Sequence, residues 1–143
     1  MTNREKLGNL GEDFFHVHFQ YLTRSSDKYD IECDFRDDFG HTYEVKTQTR
    51  HPTLDVFSIG YHNETNRNKC LSVDHLIFIE YNHTDYITIY ECIDRTMPYR
   101  YTTRNKKAMI GFPLSTMKVL RGPIHSPDVA KKMREYSSDY RFK

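Results

Sequence analysis

Long apolar runs are what this 143-residue chain most plainly lacks. No stretch approaches the roughly 18 apolar residues of a membrane span, and the opening MTNREKLGNLGEDFF has no apolar run of the kind a signal peptide needs. A soluble, cytoplasmic protein with no membrane partner is the expectation. Cysteine is scarce: Cys33, Cys70 and Cys92 are odd in number and have no short pair spacing, so neither a disulfide framework nor a zinc knuckle is suggested. None of the eight histidines pairs at HxxxH spacing, and no Ser-His-Asp or Cys-His arrangement stands out. Internal repeats and low-complexity tracts are absent as well. What is left is an ordinary single domain, with hydrophobic residues at 37% and aromatics at 14% to supply bulky core volume.

The net charge of +1 hides a segregation along the chain. Residues 1–94 hold 9 Lys and Arg against 17 Asp and Glu, whereas residues 95–143 hold 12 against 3. A protein that gathers cations with one part and a polyanion with another needs such a split; mutual attraction of the two parts would produce it too. The division suggests a core over about 3–94 and a basic C-terminal extension over about 95–143.

Leu7, Leu10, Phe14, Val17 and Tyr21 recur at spacings of three and four, which predicts a helix from Asn3 to about Tyr21, capped by Thr2 or Asn3. Strict alternation in YDIECDF (29–35) predicts a strand, RDDFG a turn, and His41–Thr49 the second arm of a hairpin. LDVFSIGY (54–61) is a third strand, followed by the polar loop HNETNRNK. DHLIFIEY (74–81) reads as a strand buried on both faces, and YITIYEC (86–92) as its alternating neighbour. A short helix near Leu114 and a last helix from Ser126-Pro127-Asp128 to Tyr136 close the order α-β-β-β-β-β-α. The fold class is α/β, one domain with a central mixed sheet of four to five strands flanked by helices.

TYEVKTQTR (42–50) carries the chemistry. Glu44-Val45-Lys46 is the one [D/E]-x-K triplet in the chain. On a strand it sets a carboxylate and an ammonium on the same face, where desolvating either is costly. Asp30 on the first hairpin arm and Glu12 on the first helix can converge with it, giving three carboxylates and a lysine. Magnesium takes hard oxygen ligands and often only one or two protein carboxylates, here Asp30 and Glu44. A lysine beside that pair can orient or deprotonate a water while the metal polarises a phosphate. Asp34 shares a face with Asp30 and is the alternative ligand. An intrastrand charge pair at a sheet edge is the plainer account of Glu44 and Lys46, and a solvated helix position that of Glu12.

Gly11-Glu12 in a first helix, then KYDI (28–31), a short hairpin and YEVKTQT (43–49) resemble the PD-(D/E)xK nuclease superfamily, over roughly residues 5–92. The layout from FSIGYHNETNRNKC into the apolar strand is similar to the small phage-type and Holliday junction resolvase-like members. The resemblance implies a restriction-endonuclease-like fold with Asp30 and Glu44 as metal ligands, the Val45 carbonyl as a further one, Lys46 activating the water, and Glu12 and Gln48 assisting. Tyr29 stands where the family name has proline, and Gly60 where phage-type relatives often carry an acid. The implied activity is a Mg2+-dependent deoxyribonuclease, an endonuclease, with Mn2+ able to substitute. Branch- or junction-selective cleavage by a homodimer, and a phage origin with action in the host cytoplasm, follow from the resemblance alone. A non-catalytic nucleic-acid-binding or interaction module on the same fold, or a ribonuclease, are the alternatives.

Beyond the resemblance, YRYTTRNKK mixes Tyr99 and Tyr101 with Arg100, Arg104, Lys106 and Lys107, a combination suited to phosphate contact and base stacking, to which Arg67 and Lys69 can add. A solvated basic loop is the plainer reading of the same stretch.

Overall fold

The apolar run HLIFIE fixes the centre of the protein. A computed structural model describes residues 1–26 and 32–143. In chain order the elements are α1 (Asn3–His18), β1 (Thr23–Arg24), β2 (Phe35–Arg36), β3 (Thr42–Gln48), β4 (Val56–Gly60), α2 (Glu64–Ser72), β5 (His75–Glu80), β6 (Tyr86–Cys92), β7 (Tyr99–Thr102), β8 (Ala108–Pro113), β9 (Met117–His125) and α3 (Pro127–Tyr136), with 3-10 turns at Leu114–Thr116 and Tyr140–Phe142. Six strands form one sheet in the order β1-β2-β3-β5-β6-β9, and three form a second in the order β4-β8-β7. β3 and β5 are parallel, so the chain between them, β4 and α2, is a crossover; the remaining pairs are antiparallel.

β5 alternates between two cores because successive strand residues face opposite sides. Ile77 and Ile79 enter the core beneath α1 and α3, with Phe14, Phe15, Val45, Ile87, Ile89 and Met133. Leu76 and Phe78 enter the other, with Phe57, Ile59, Cys70, Ile110 and Phe112. All four β5 residues are fully buried. Each large apolar side chain buried in this way stabilises the fold by about 1.5–3 kcal/mol. Thr2 caps α1 in a capping box with Glu5.

The result is a single α/β domain with a mixed sheet flanked by helices, as the sequence indicates, but with more strands than four to five. One extra strand is the short β1, and the other three come from residues 95–143, which form no appendage: β8 pairs with β4, β9 pairs with β6, and Ala130 and Met133 of α3 lie in the first core.

Three local expectations need correction. α1 stops at His18, because Phe19 leaves helical geometry (φ −135°, ψ 61°) and the Leu22 N–H then bonds Phe19 O in a turn, which leaves Tyr21 exposed. In the strand expected over 29–35, the part within the described residues pairs only from Phe35: the Asp34 carboxylate accepts the Val45 N–H at 2.9 Å, so a side chain takes the place of a ladder carbonyl. HNETNRNK is no loop but the cap and body of α2, with the Asn63 side chain accepting the Asn66 N–H. Among the described residues no helix is long and apolar enough to cross a membrane.

Candidate active site at the open edge of the third strand

β2 pairs with β3 only at Thr42 and Tyr43, so from Glu44 onward β3 has a strand neighbour on the β5 side and, among the described residues, none on the other. Along this edge Val45 belongs to the α1-side core and Thr47 lies against Gly11, while Glu44, Lys46 and Gln48 project to the opposite face. A cleft of about 910 Å3 runs along it, walled by Arg4 and Glu12 of α1, Asn66 and Lys69 of α2, Ser58–Gly60 of β4, and residues 136–139 with Lys143 near the C-terminus.

Glu44 lies at the base of the cleft, 1% exposed. Lys46 Nζ is 3.5 Å from Glu44 Oε2, and Lys69 Nζ is 3.4 Å from Oε1 and 3.5 Å from Asp34 Oδ1. Oε1 nevertheless accepts no hydrogen bond. Lys46 Nζ donates to Asn66 Oδ1 at 2.6 Å, which fixes the ammonium between α2 and β3. Glu12 faces the cluster from α1, with Arg24 3.5 Å from its carboxylate.

Burial first, and the neighbouring Asp34 carboxylate second, push the Glu12 carboxyl up to about 7. Burial, then Asp34, likewise raises Glu44, to about 8, against the pull of Lys46 and Lys69. Burial works against the Lys69 ammonium, but Glu44 and Asp34 outweigh it and its pKa rises. The ionised forms of Glu12 and Glu44 are therefore disfavoured in this cleft.

Of the residues expected from the sequence, the fold brings Glu12, Glu44, Val45, Lys46 and Gln48 to one cleft. Asp30 lies outside the described residues, and Asp34, the alternative, lies in the cluster. Gln48 is engaged elsewhere: its amide donates to Ser58 O at 2.8 Å and accepts from Ser58 N at 2.6 Å, tying β4 to β3. Ser58 Oγ is in turn 2.5 Å from Tyr101 Oη on β7. Lys69, expected on a phosphate-contacting loop, is on α2 with its ammonium between two carboxylates. Arg67 and Arg100 both place their guanidinium over the Tyr61 ring, 4.4 and 4.5 Å from its centroid. Tyr99 is half exposed, and Arg104, Lys106 and Lys107 occupy the exposed turn between β7 and β8. Among the described residues, Arg134–Asp85 at 3.9 Å is the ion pair joining the acidic and basic parts of the chain, so the charge segregation is not consumed internally.

Asn66 and Tyr61 escape the sequence reading. Asn66 and Lys69 are three residues apart and share a helix face with Cys70 in reach of the core, a pattern visible once the segment is taken as helical. At the far wall, Thr49 Oγ1 donates to Asp139 at 2.8 Å, and Arg141 clamps Asp139 while donating to Arg50 O.

Among the described residues no group of three or more His, Cys, Asp and Glu side chains is arranged to hold a metal ion. The two carboxylates of Asp34 and Glu44, with one buried oxygen unpartnered, nevertheless fit a hard cation that takes two protein carboxylates and completes its shell with water and substrate. No protein-family model matches the chain, and no curated protein does.

Proposed function

We propose that the protein is a Mg2+-dependent deoxyribonuclease, an endonuclease that hydrolyses DNA phosphodiesters in the cleft beside β3. The observation that carries this reading is Glu44: a carboxylate 1% exposed, one oxygen unpartnered, placed against Asp34 and Lys46 at the base of an open cleft. Lys46 and Lys69 offset charge here, but neither gives Glu44 Oε1 a hydrogen bond, and a buried carboxylate oxygen without one is costly for a fold to keep.

Asp34 and Glu44 would hold the magnesium ion, which when bound supplies Lewis-acid polarisation of the phosphate and a more acidic water. The Lys46 ammonium has three protons; Asn66 accepts one and Glu44 lies beside it, which leaves donor capacity for the attacking water or a phosphate oxygen. Glu12, with its pKa near 7, can hold or release a proton at the rim of the cleft near neutral pH. Gln48 positions, through Ser58, the sheet that carries Tyr99, Arg100 and Tyr101. With Arg67 and the turn residues Arg104, Lys106 and Lys107, these supply contacts for DNA phosphates and bases.

The test is cleavage of labelled linear duplex, single strand, flap and four-way-junction DNA, and of matched RNA, with Mg2+ or EDTA and with Lys46→Ala. The expected result is metal-dependent cutting of DNA that disappears in the variant. Binding without cutting in every condition overturns the nuclease reading in favour of a binding module, and preferential cutting of RNA overturns the assignment to DNA.

A further inference from the structure

Lys69 occupies the space in which a metal ion would serve Asp34 and Glu44. Its Nζ bridges the two acids at 3.5 and 3.4 Å. Both separations are longer than the roughly 2.7–2.9 Å of a charge-assisted N–H···O bond. Glu44 Oε1 is left without a hydrogen bond although the residue is buried. The ammonium thus offsets charge without completing the bonding of the oxygen it faces. Lys46 cannot take its place, since it approaches Glu44 through Oε2 and is held by Asn66.

We propose that Lys69 is the built-in counter-ion of the metal-free site, and that a divalent cation binds Asp34 and Glu44 by displacing its ammonium. The inference rests on the reading of these two carboxylates as metal ligands. A magnesium-sized ion takes its oxygens at about 2.0–2.1 Å and therefore needs the space between them. Two cations cannot share that space. The exchange sets two positive charges in place of one between two negative groups and gives Oε1 the partner it lacks. Lys69 has somewhere to go: it sits near the end of α2 on a flexible four-carbon stem and lines the 910 Å3 cleft. In that cleft a phosphate oxygen is the natural next partner of the freed ammonium, so metal entry delivers a cation to the substrate side. The same geometry makes Lys69 a competitor that weakens metal binding.

The direct experiment is calorimetric titration of Mn2+ into wild type and Lys69→Met, which keeps an unbranched side chain one atom shorter and removes the charge. The variant is expected to bind Mn2+ about tenfold more tightly. Equal or weaker binding by the folded variant overturns the inference while leaving the metal site standing. Absence of binding by both proteins overturns the metal reading itself, and the inference with it. Should the variant fail to fold, reductive methylation of wild type followed by mass spectrometry decides the matter. Lys69, with 12% of its side chain exposed, is expected to resist the reagent in EDTA and to react at least about fivefold faster in saturating Ca2+. Unchanged protection at a Ca2+ concentration shown by calorimetry to fill the site overturns the proposal.

Discussion

Gly11 of α1 lies directly against Thr47 of β3: a methyl group on Gly11 would overlap the Thr47 hydroxyl and stand 2.8 Å from its Cβ. This contact sets how deeply α1 seats on the strand, and with it the position of the adjacent Glu12. Gly11→Ala should therefore destabilise the protein by about 1–3 kcal/mol, although alanine favours helix by about 1 kcal/mol. Adding Thr47→Ala should recover only part of the loss, since the Thr47 Cβ remains in the way. Urea unfolding of the single and double variants measures both effects.

Asp34 and Asp30 make different demands on a mutational test. Asp34→Asn removes one of the two carboxylates beside Lys69 and should lower Mn2+ affinity and, about 100-fold or more, cleavage; Lys46→Ala should lower cleavage by a similar factor without weakening Mn2+ binding. Circular dichroism should show both variants folded. An equal loss in Asp30→Asn would bring residue 30 into the site as well.

Gln48→Ala removes both hydrogen bonds to the Ser58 backbone and leaves a partly buried N–H and C=O without partners. The expected cost is about 1–3 kcal/mol, measured by chemical denaturation. Tyr101→Phe, which deletes only the Ser58 hydroxyl contact, should cost less.

Tyr61 holds two guanidiniums, and Arg100 also donates to its hydroxyl at 3.1 Å. Arg100→Ala should reduce the slope of log affinity against log salt for duplex DNA by about 1. Tyr61→Ala should weaken binding less than Arg100→Ala, because it frees the Arg100 guanidinium without removing its charge and leaves Arg67 bonded to the carbonyl of residue 61. Fluorescence anisotropy over a salt series reads both quantities.

Metal-free stability should fall as the pH rises. The Glu12 and Glu44 carboxyls are raised from 4.5 to about 7 and about 8, burial being the first cause in each and Asp34 the second. A raised carboxyl binds its proton more tightly when folded. Its contribution is therefore complete below the unfolded value and lost as pH climbs through the folded one. Thermal melts in EDTA should show the midpoint dropping between pH 4.5 and 8, with a shallower drop in Glu12→Gln. A midpoint that rises over this interval would contradict the assignment.

The sequence is most legible where a period survives burial. α1, β3, β5, β6 and α3 all lie within a few residues of their expected positions, since each has one or both faces packed on a core and its apolar spacing records that. α2 is illegible for the opposite reason: Cys70 is its one buried residue, so there is no apolar stripe to read. β8 and β9 are obscured by Pro113, Gly122 and Pro123 within strands that tolerate them near ends and edges. The triplet Glu44-Val45-Lys46 is legible as a stretch of strand, and the fold sets it along the cleft. The Lys69 ammonium between two acids depends on the crossover from β3 to β5, which no local pattern encodes.

The clasp of Thr49 by Asp139, with Arg141 closing over Arg50, spans ninety residues of chain. During synthesis Glu44 and Lys46 leave the ribosome long before the residues that finish the cleft around them. A nascent chain carries these side chains without the wall that faces them, and the complete groove exists only once residue 141 has emerged. The timing of cleft closure is thus written into the order of the chain, and a cell making this protein meets the finished cleft only after translation has passed that point.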